Sequence, residues 1–128
     1  MSDFVHVNLM DLDDSVSSRV PEIEGRFGRT TLESRDLGIS HFRYAPNFKS
    51  ENGHRHREQE EAYIIIAGGG QMLVNDEVLD LKPLDVVRVA PEAKRAFHAG
   101  PEGLEYVAVG GPKPDGGDGE QVKVEWPE

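Results

Sequence analysis

Short segments of alternating apolar and polar residues recur along most of the chain, and turn-forming residues separate them. One such segment places Phe42 and Tyr44 on the same face of a predicted strand. His41 and Arg43, which alternate with them, point to the opposite face, because strand side chains alternate. The run 63–66 is β-branched and aromatic, as in a buried strand. Since no segment has convincing helical periodicity, the pattern predicts an all-β sandwich or barrel.

Further strands are predicted from the same alternation and from the turn residues at their ends. The glycine-rich stretches 68–70 and 100–103 are predicted to be turns, the second of which divides one apolar region into two strands. The residues flanking 75–76 should form the two arms of a hairpin. The predicted strands are 5–9, 29–32, 39–44, 71–74, 78–81, 85–89, 96–99 and 104–109.

Composition and charge exclude several classes of protein. A net charge of -10 argues against a surface that binds nucleic acid or anionic membranes. Cysteine is absent, which excludes disulfides, a thiolate zinc site and a cysteine nucleophile and is compatible with a reducing cytosol. The longest apolar run, 62–67, is too short to cross a bilayer, and the N-terminus lacks the features of a signal peptide. We therefore expect a cytoplasmic protein with neither nucleic-acid nor membrane partners.

Two histidines and a carboxylate stand close together before the apolar run. His54 and His56 are separated by one residue, so in an extended strand both imidazoles aim at one point. Glu61 opens the next strand, and Glu60 competes with it for the same role. Two neutral imidazoles and one carboxylate suit a divalent transition metal (Fe, Mn, Zn or Ni) and leave positions open for water or substrate. The alternative interpretation is a charged strand end with solvated histidines.

The same residues resemble the first motif of the cupin superfamily. The chain has His54-x-His56, four further residues, Glu61, six further residues and Gly68, a spacing that favours Glu61 over Glu60. The family usually has a glycine six residues before the first histidine, where this chain has Phe48. The resemblance extends through about residue 109 and is to small, single-domain bacterial cupins. It implies a double-stranded β-helix, or jelly-roll barrel, with the metal site inside its open end.

The second motif of that family is degenerate in this chain. The segment 83–85 (Pro-Leu-Asp) replaces the usual Pro-Gly-Asp, and Arg95 stands where a histidine, the fourth metal ligand, is expected. A guanidinium has no lone pair to offer a metal. Arg95 therefore either binds an anionic ligand beside a three-ligand metal, or pairs with Glu61 in a metal-free site, or faces solvent. His98 could replace the missing ligand only if a bulge reversed its direction.

An aromatic pocket is expected next to these groups. With Glu61 directed inward, Tyr63 shares its face, and other aromatic residues of neighbouring strands can line the same space. Aromatic walls with a few polar groups suit a small organic ligand, although each of these residues can also be plain core. The candidate ligand-binding residues are Arg95, Tyr63, Phe42, Tyr44, Phe97 and Tyr106.

The leading functional hypothesis is a metal-binding cupin that binds, and in its enzymatic form transforms, a small acidic or polyhydroxy metabolite. Two histidines and one carboxylate match the arrangement of non-haem iron dioxygenases, and an activity like that of sugar isomerases ranks lower. The rival is a non-catalytic, metal-free ligand-binding module in which Arg95 replaces the fourth metal ligand. The fold hosts both classes and does not choose between them. Catalytic residues are not assigned by the sequence.

One domain is predicted for residues 1–128, large enough to bury a core without staples. The motif-bearing barrel covers about 37–109, followed by a flexible Gly/Pro loop at 110–119 and a terminal strand at 120–127. That strand is expected to pair with a sheet edge, its own or a partner's, because isolated edges invite pairing. We therefore expect a homodimer.

Overall fold

The computed structural model describes residues 2–127, which form eight β-strands and one short 3-10 helix. Among these residues no helix is long and apolar enough to cross a membrane. The helix is Leu9–Asp11, and the strands are β1 (Ile23–Phe27), β2 (Gly38–Tyr44), β3 (Asn52–Arg55), β4 (Glu61–Val74), β5 (Glu77–Leu81), β6 (Val86–Val89), β7 (Arg95–Gly110) and β8 (Glu120–Lys123).

The strands form one antiparallel sheet that curls on itself around the two longest strands. Its path runs β1-β2-β7-β3-β8, while β4 pairs with β5, β6 and β7. β7 therefore joins the β2 side of the barrel to the β4 side and also contacts β3. This all-β jelly roll confirms the fold class predicted from the sequence.

The glycine stretch 68–70 lies inside β4, so the predicted turn there is wrong. Gly68 (φ 68°) and Gly70 (φ 151°) have positive φ angles, and the register with β7 shifts beside them. An added Cβ at Gly68 would collide with the carbonyl oxygen of Gly103, and one at Gly70 with that of His98. The glycines thus allow a bulged strand to pass close to its neighbour instead of ending it.

Three other sequence predictions need correction. The stretch 100–103 does not divide two strands, because β7 runs through it opposite the bulges of β4. The segment 29–32 is a turn, closed by a hydrogen bond from the Leu32 N–H to the Gly28 carbonyl. The segment 5–9 is not a strand, since its end enters the short helix, which the Asn8 side chain caps. In the segments 29–32 and 5–9, local hydrogen bonds thus take the place of sheet pairing.

The remaining strands agree with the pattern. β4 and β5 form the predicted hairpin, with Val74 opposite Glu77. The terminal strand β8 pairs antiparallel with β3, with Gly53 opposite Val122, so within residues 2–127 it uses an edge of its own chain. The core is aromatic at its centre, where Phe97 stacks on Tyr106 with ring centroids 4.4 Å apart. Tight packing here fixes the strands that carry the candidate site.

Candidate metal centre

The two histidines and the glutamate meet at one end of the barrel. His54 lies on β3, His56 follows one residue after that strand, and Glu61 begins β4. The backbone N–H of His56 donates to the carbonyl of Pro91 (2.7 Å), which anchors the end of β3 to the turn before β7. One potential ligand atom from each of the three side chains lies within 4.8 Å of the others. His54, His56 and Glu61 are called the metal trio below.

The carboxylate of Glu61 is the centre of the trio. Its Oε1 lies 3.2 Å from the Nε2 atoms of both His54 and His56, and accepts a 2.6 Å hydrogen bond from the Tyr63 hydroxyl. Burial alone would raise the pKa of Glu61, but the contacts with His54, His56 and Tyr63 outweigh it and hold that pKa well below its usual range. Glu61 is therefore anionic across the physiological pH range, as an oxygen ligand of a metal would have to be.

Tyr63 supplies a hydroxyl to the same point. Its side chain is buried, and its oxygen lies 3.2 Å from His54 Nε2 as well as next to Glu61. Burial, together with the Glu61 charge, raises the pKa of Tyr63 well above its ordinary value. The phenol therefore stays protonated and donates its hydrogen to Glu61.

Asp118 orients His56 from the opposite side. Its Oδ1 lies 2.9 Å from His56 Nδ1, and its Oδ2 accepts three backbone N–H groups, from Arg57, Glu58 and Gln59, at 3.0, 2.6 and 3.0 Å. These contacts hold the pKa of Asp118 well below its usual range against the effect of burial, which raises it. Because an anionic carboxylate only accepts, Nδ1 of His56 carries the hydrogen and Nε2 is free to act as a ligand.

The Nε2 atom of His56 is buried and, among residues 2–127, has no hydrogen-bond partner of acceptable geometry, although Glu61 Oε1 is 3.2 Å away. The Glu61 carboxylate and Asp118 together raise the pKa of His56 above its ordinary value despite its partial burial. A buried polar atom without a hydrogen-bond partner destabilises the folded state. A divalent cation between this nitrogen, His54 Nε2 and Glu61 would satisfy it, so the residues present fit a metal.

Arg95 is fully buried, so the solvent-facing interpretation of this side chain does not hold. Its guanidinium donates to three backbone carbonyls of the turn before β7: Pro91 (3.1 Å), Ala93 (3.0 Å) and Ala90 (3.5 Å). Its terminal nitrogen also lies 3.8 Å from Glu61 Oε1. The terminal nitrogens of Arg95 are thus bound to the turn before β7 and lie near Glu61, while its buried Nε has no hydrogen-bond partner among residues 2–127.

Two cavities adjoin the trio. One, of about 540 Å³, is lined by His54 and Arg95 and by the aromatic side chains of Tyr44, Phe48 and Phe97. Tyr44 and Phe97 are therefore candidate ligand contacts. The predicted wall residues Phe42 and Tyr106 instead stack on each other in the core (5.2 Å between ring centroids) and line neither of these two cavities.

The second cavity, of about 320 Å³, reaches His56 and Glu61. Its walls include polar and charged side chains from four parts of the chain: the loop after β1, strand β2, the segment before β4 and the loop after β7. They include Arg29, Ser40, Gln59 and Lys113. The cavity gives a small molecule access to the carboxylate side of the trio.

Two sequence alternatives lie outside the trio. Glu60 is exposed and pairs with Arg88 (3.2 Å). His98 lies on β7 with its ring 5.8 Å from that of Trp126, opposite Gln71 of β4. Asp118, by contrast, was missed by sequence reasoning, because it stands in a glycine-rich segment that indicates only a flexible loop. No local signal identifies it, since its partners lie about sixty residues away.

Comparisons with known proteins support the fold. No protein-family model matches the chain, and no curated protein matches it. Among solved structures, a cupin protein from Bacteroides fragilis is 17% identical with a TM-score of 0.71, covering 89% of this chain and 88% of that one. The polyketide cyclase RemF from Streptomyces resistomycificus is 16% identical with a TM-score of 0.74, covering 97% and 87%. An oxalate decarboxylase from B. subtilis is 17% identical with a TM-score of 0.74, covering 92% of this chain but 32% of that one. The chain has the cupin fold, as the motif resemblance predicted.

Proposed function

We propose that this protein is a small metal-binding cupin that holds one divalent transition metal on His54, His56 and Glu61 and binds a small acidic or polyhydroxy metabolite beside it. The observation that carries the proposal is the buried Nε2 of His56, which has no hydrogen-bond partner among the described residues and whose opposite nitrogen is held by Asp118. A preorganised imidazole lone pair facing a second imidazole and a carboxylate is the donor set of a metal centre with open positions.

The enzymatic form of the proposal is a dioxygenase-like activity, with a sugar-isomerase-like activity ranked second. When bound, the metal would act as a Lewis acid toward ligand oxygens or as a redox centre. The chain's own groups complete the site: Glu61 keeps its negative charge, Tyr63 donates a hydrogen bond to it, and Tyr44 and Phe97 wall the larger cavity. Among the fold neighbours, oxalate decarboxylase is named for a small acid and RemF for a polyketide. Those names support a small organic ligand for this chain.

Elemental analysis of protein purified without an affinity tag or chelator tests the metal. We expect roughly one divalent ion per chain, with metal–nitrogen distances of about 2.1 Å by X-ray absorption. Trace metal only, with no uptake of added zinc, iron, manganese or nickel, would contradict the proposal.

A second candidate is the metal-free ligand-binding module. The 3.8 Å approach of Arg95 to Glu61 favours it, because a fixed positive charge beside the carboxylate opposes a cation. The same elemental analysis separates the two candidates. Metal titration of an Arg95→His variant tests whether the arginine charge is what keeps the metal out.

Assembly and location form part of the proposal. β8 pairs with β3 along one edge, which leaves its other edge for the same strand of a second copy, so we propose a homodimer. Light scattering that gives a monomer at micromolar concentration would count against it, as would an unchanged oligomeric state after truncation at Gly111. A cytoplasmic location is proposed because a chain without cysteine gains nothing from an oxidising compartment.

A further inference from the structure

The smaller cavity beside the metal trio has an unusual charge for this protein. The chain carries a net charge of -10, yet the walls of this cavity combine two cations, Arg29 and Lys113, with Glu61 as their single acidic side chain. The hydroxyl of Ser40 and the amide of Gln59 lie in the same walls. The cavity thus has more cationic than anionic side chains, and it also has hydrogen-bond donors. An anion bound in it would lie beside the trio, because His56 and Glu61 line the same cavity.

Arg95 does not fill that role. Its terminal nitrogens donate to the carbonyls of Ala90, Pro91 and Ala93, and its Nε, though without a hydrogen-bond partner among the described residues, is sealed from solvent. Arg95 lines the larger cavity but is absent from the walls of the smaller one. Recognition of an anionic ligand in the smaller cavity therefore falls to other cations.

Arg29 is held in position but keeps free donors. One terminal nitrogen donates to the carbonyl of Gly111 (3.0 Å) and the other to that of Asp36 (3.3 Å). The guanidinium lies against Gly38, where an added Cβ would come within 2.9 Å of its central carbon. Among residues 2–127, the Nε–H and one further hydrogen on each terminal nitrogen have no hydrogen-bond partner, and a guanidinium fork of this kind suits a carboxylate or phosphate.

Lys113 is placed by a tight turn of the loop after β7. The Gly117 N–H donates to the Pro114 carbonyl (2.8 Å), and Gly117 has φ 78°, a conformation that favours glycine. A Cβ at Gly117 would lie 3.2 Å from the Lys113 Cε, so the lysine stem folds back across the turn. The same loop continues to Asp118, so one segment carries both the group that orients His56 and a cation of the cavity wall.

We propose that Arg29 and Lys113 form an anion subsite that binds one carboxylate or phosphate group of the ligand, while the other end of the ligand faces the metal trio. The cavity, at about 320 Å³, is at the small end of the range for ligand pockets, which indicates a short bifunctional acid. The placement of the ligand's other end at the metal trio rests on the proposed metal function, whereas the anion subsite consists of side chains of this chain and needs no metal.

Isothermal titration of the metal-treated protein with succinate, its neutral diamide and inorganic phosphate tests the subsite. Lys113→Gln should weaken binding of the preferred anion about fivefold, since an exposed charge contact is worth little more. Lys82→Gln, which removes the same charge from an exposed turn outside this cavity, should have no effect, and Lys113→Arg should restore binding. The diamide should bind more weakly than succinate. Arg29→Gln should weaken binding about tenfold.

The relative affinities decide the anion class: tighter, Lys113-dependent binding of phosphate assigns a phosphate ligand, and the reverse assigns a carboxylate. Equal affinity of the Lys113→Gln and Lys82→Gln variants for both anions would overturn the subsite, even if Arg29→Gln fails to fold. Lys113-dependent anion binding in a protein that takes up no metal would support the subsite and defeat the metal function. Full metal content with no Lys113 dependence would do the reverse.

Discussion

Two groups of histidines and carboxylates stand on opposite faces of the same sheet and differ in one respect. On the outer face, His41, Glu105, Arg26, Arg43 and Glu24 form what we call the outer ion cluster. His41 Nε2 lies 2.6 Å from Glu105, and its Nδ1 lies 3.5 Å from Arg26. Both imidazole nitrogens therefore have protein partners, and no lone pair is left for a ligand.

In the metal trio, by contrast, the two nitrogens of one imidazole have different surroundings. His56 has one nitrogen bound to Asp118 and the other buried without a hydrogen-bond partner among residues 2–127. The outer ion cluster balances each glutamate with arginines, Glu24 and Glu105 both contacting Arg43. Glu61 lies 3.2 Å from two imidazole nitrogens and 3.8 Å from a terminal nitrogen of one arginine, Arg95. A buried imidazole nitrogen without a hydrogen-bond partner among the described residues, and not the residue types, therefore distinguishes the candidate site from a structural ion pair.

Removing one histidine from each group should produce the largest difference between the two groups. His56→Ala and His54→Ala should each abolish stoichiometric metal uptake, because two ligands do not hold the ion. His41→Ala should keep full metal content and lower the free energy of unfolding by about 1–3 kcal/mol, since Glu105 and Arg26 lose a partner. Metal analysis and urea unfolding measure the two effects. Equal metal content in His56→Ala and His41→Ala would erase the distinction.

Asp118→Asn tests whether the orientation of His56 matters as much as its presence. An amide cannot both accept the three backbone N–H groups and hold the Nδ1 hydrogen as the carboxylate does, so metal affinity should fall by about 10–100-fold. Asp115→Asn, in the same loop but absent from the contacts of His56, is the matched control and should leave the affinity unchanged. Identical metal isotherms for the two variants would show that Asp118 only closes the loop.

Arg95→His asks whether the trio is held open or neutralised by its neighbouring charge. If three ligands already hold a metal, the wild type should bind about one ion, and the variant should bind it about tenfold more tightly because a nearby positive charge is gone. If Arg95 neutralises Glu61, the wild type should bind little metal and the variant should gain a site. Titration of both proteins with the same metal separates these cases. An unchanged isotherm would show that Arg95 serves only the carbonyls of the turn before β7.

The sequence predicted those parts of the molecule that depend on local periodicity. The alternation around Phe42 and the hairpin at 75–76 are local, and both are present. The trio could be anticipated because strand parity fixes the direction of His54 and His56. Gly68 and Gly70 misled the prediction because a positive φ serves a bulge as well as a turn.

Long-range partners were beyond the sequence. Asp118 meets His56, and Glu105 meets His41, across more than sixty residues, so no window reveals either pair. The resemblance to the second cupin motif put Arg95 at the fourth-ligand position, but its hydrogen bonds to three carbonyls depend on how the turn before β7 folds. Burial of Phe42 and Tyr106 in the core rather than along the ligand cavities is likewise a matter of packing.

Glu105→Gln, a substitution within the outer ion cluster, should have the smallest effect of these variants. Burial raises the pKa of Glu105, but the His41 contact and the Arg43 charge outweigh it and leave that pKa below its ordinary value of 4.5. A carboxyl with a lowered pKa in the folded state adds stability above the unfolded value and loses it as the pH falls through the folded value. The wild type should therefore exceed Glu105→Gln by about 1 kcal/mol in unfolding free energy at pH 7, a modest figure because the Arg43 pair is partly exposed. Urea unfolding between pH 7 and pH 3 should show this gap closing below pH 4.5. The variant Glu77→Gln, at an exposed position, should follow the wild type throughout. The metal content of Glu105→Gln at pH 7 should equal that of the wild type. A gap that persists to pH 3 would mean that Glu105 acts through packing, and the outer ion cluster would lose its electrostatic explanation.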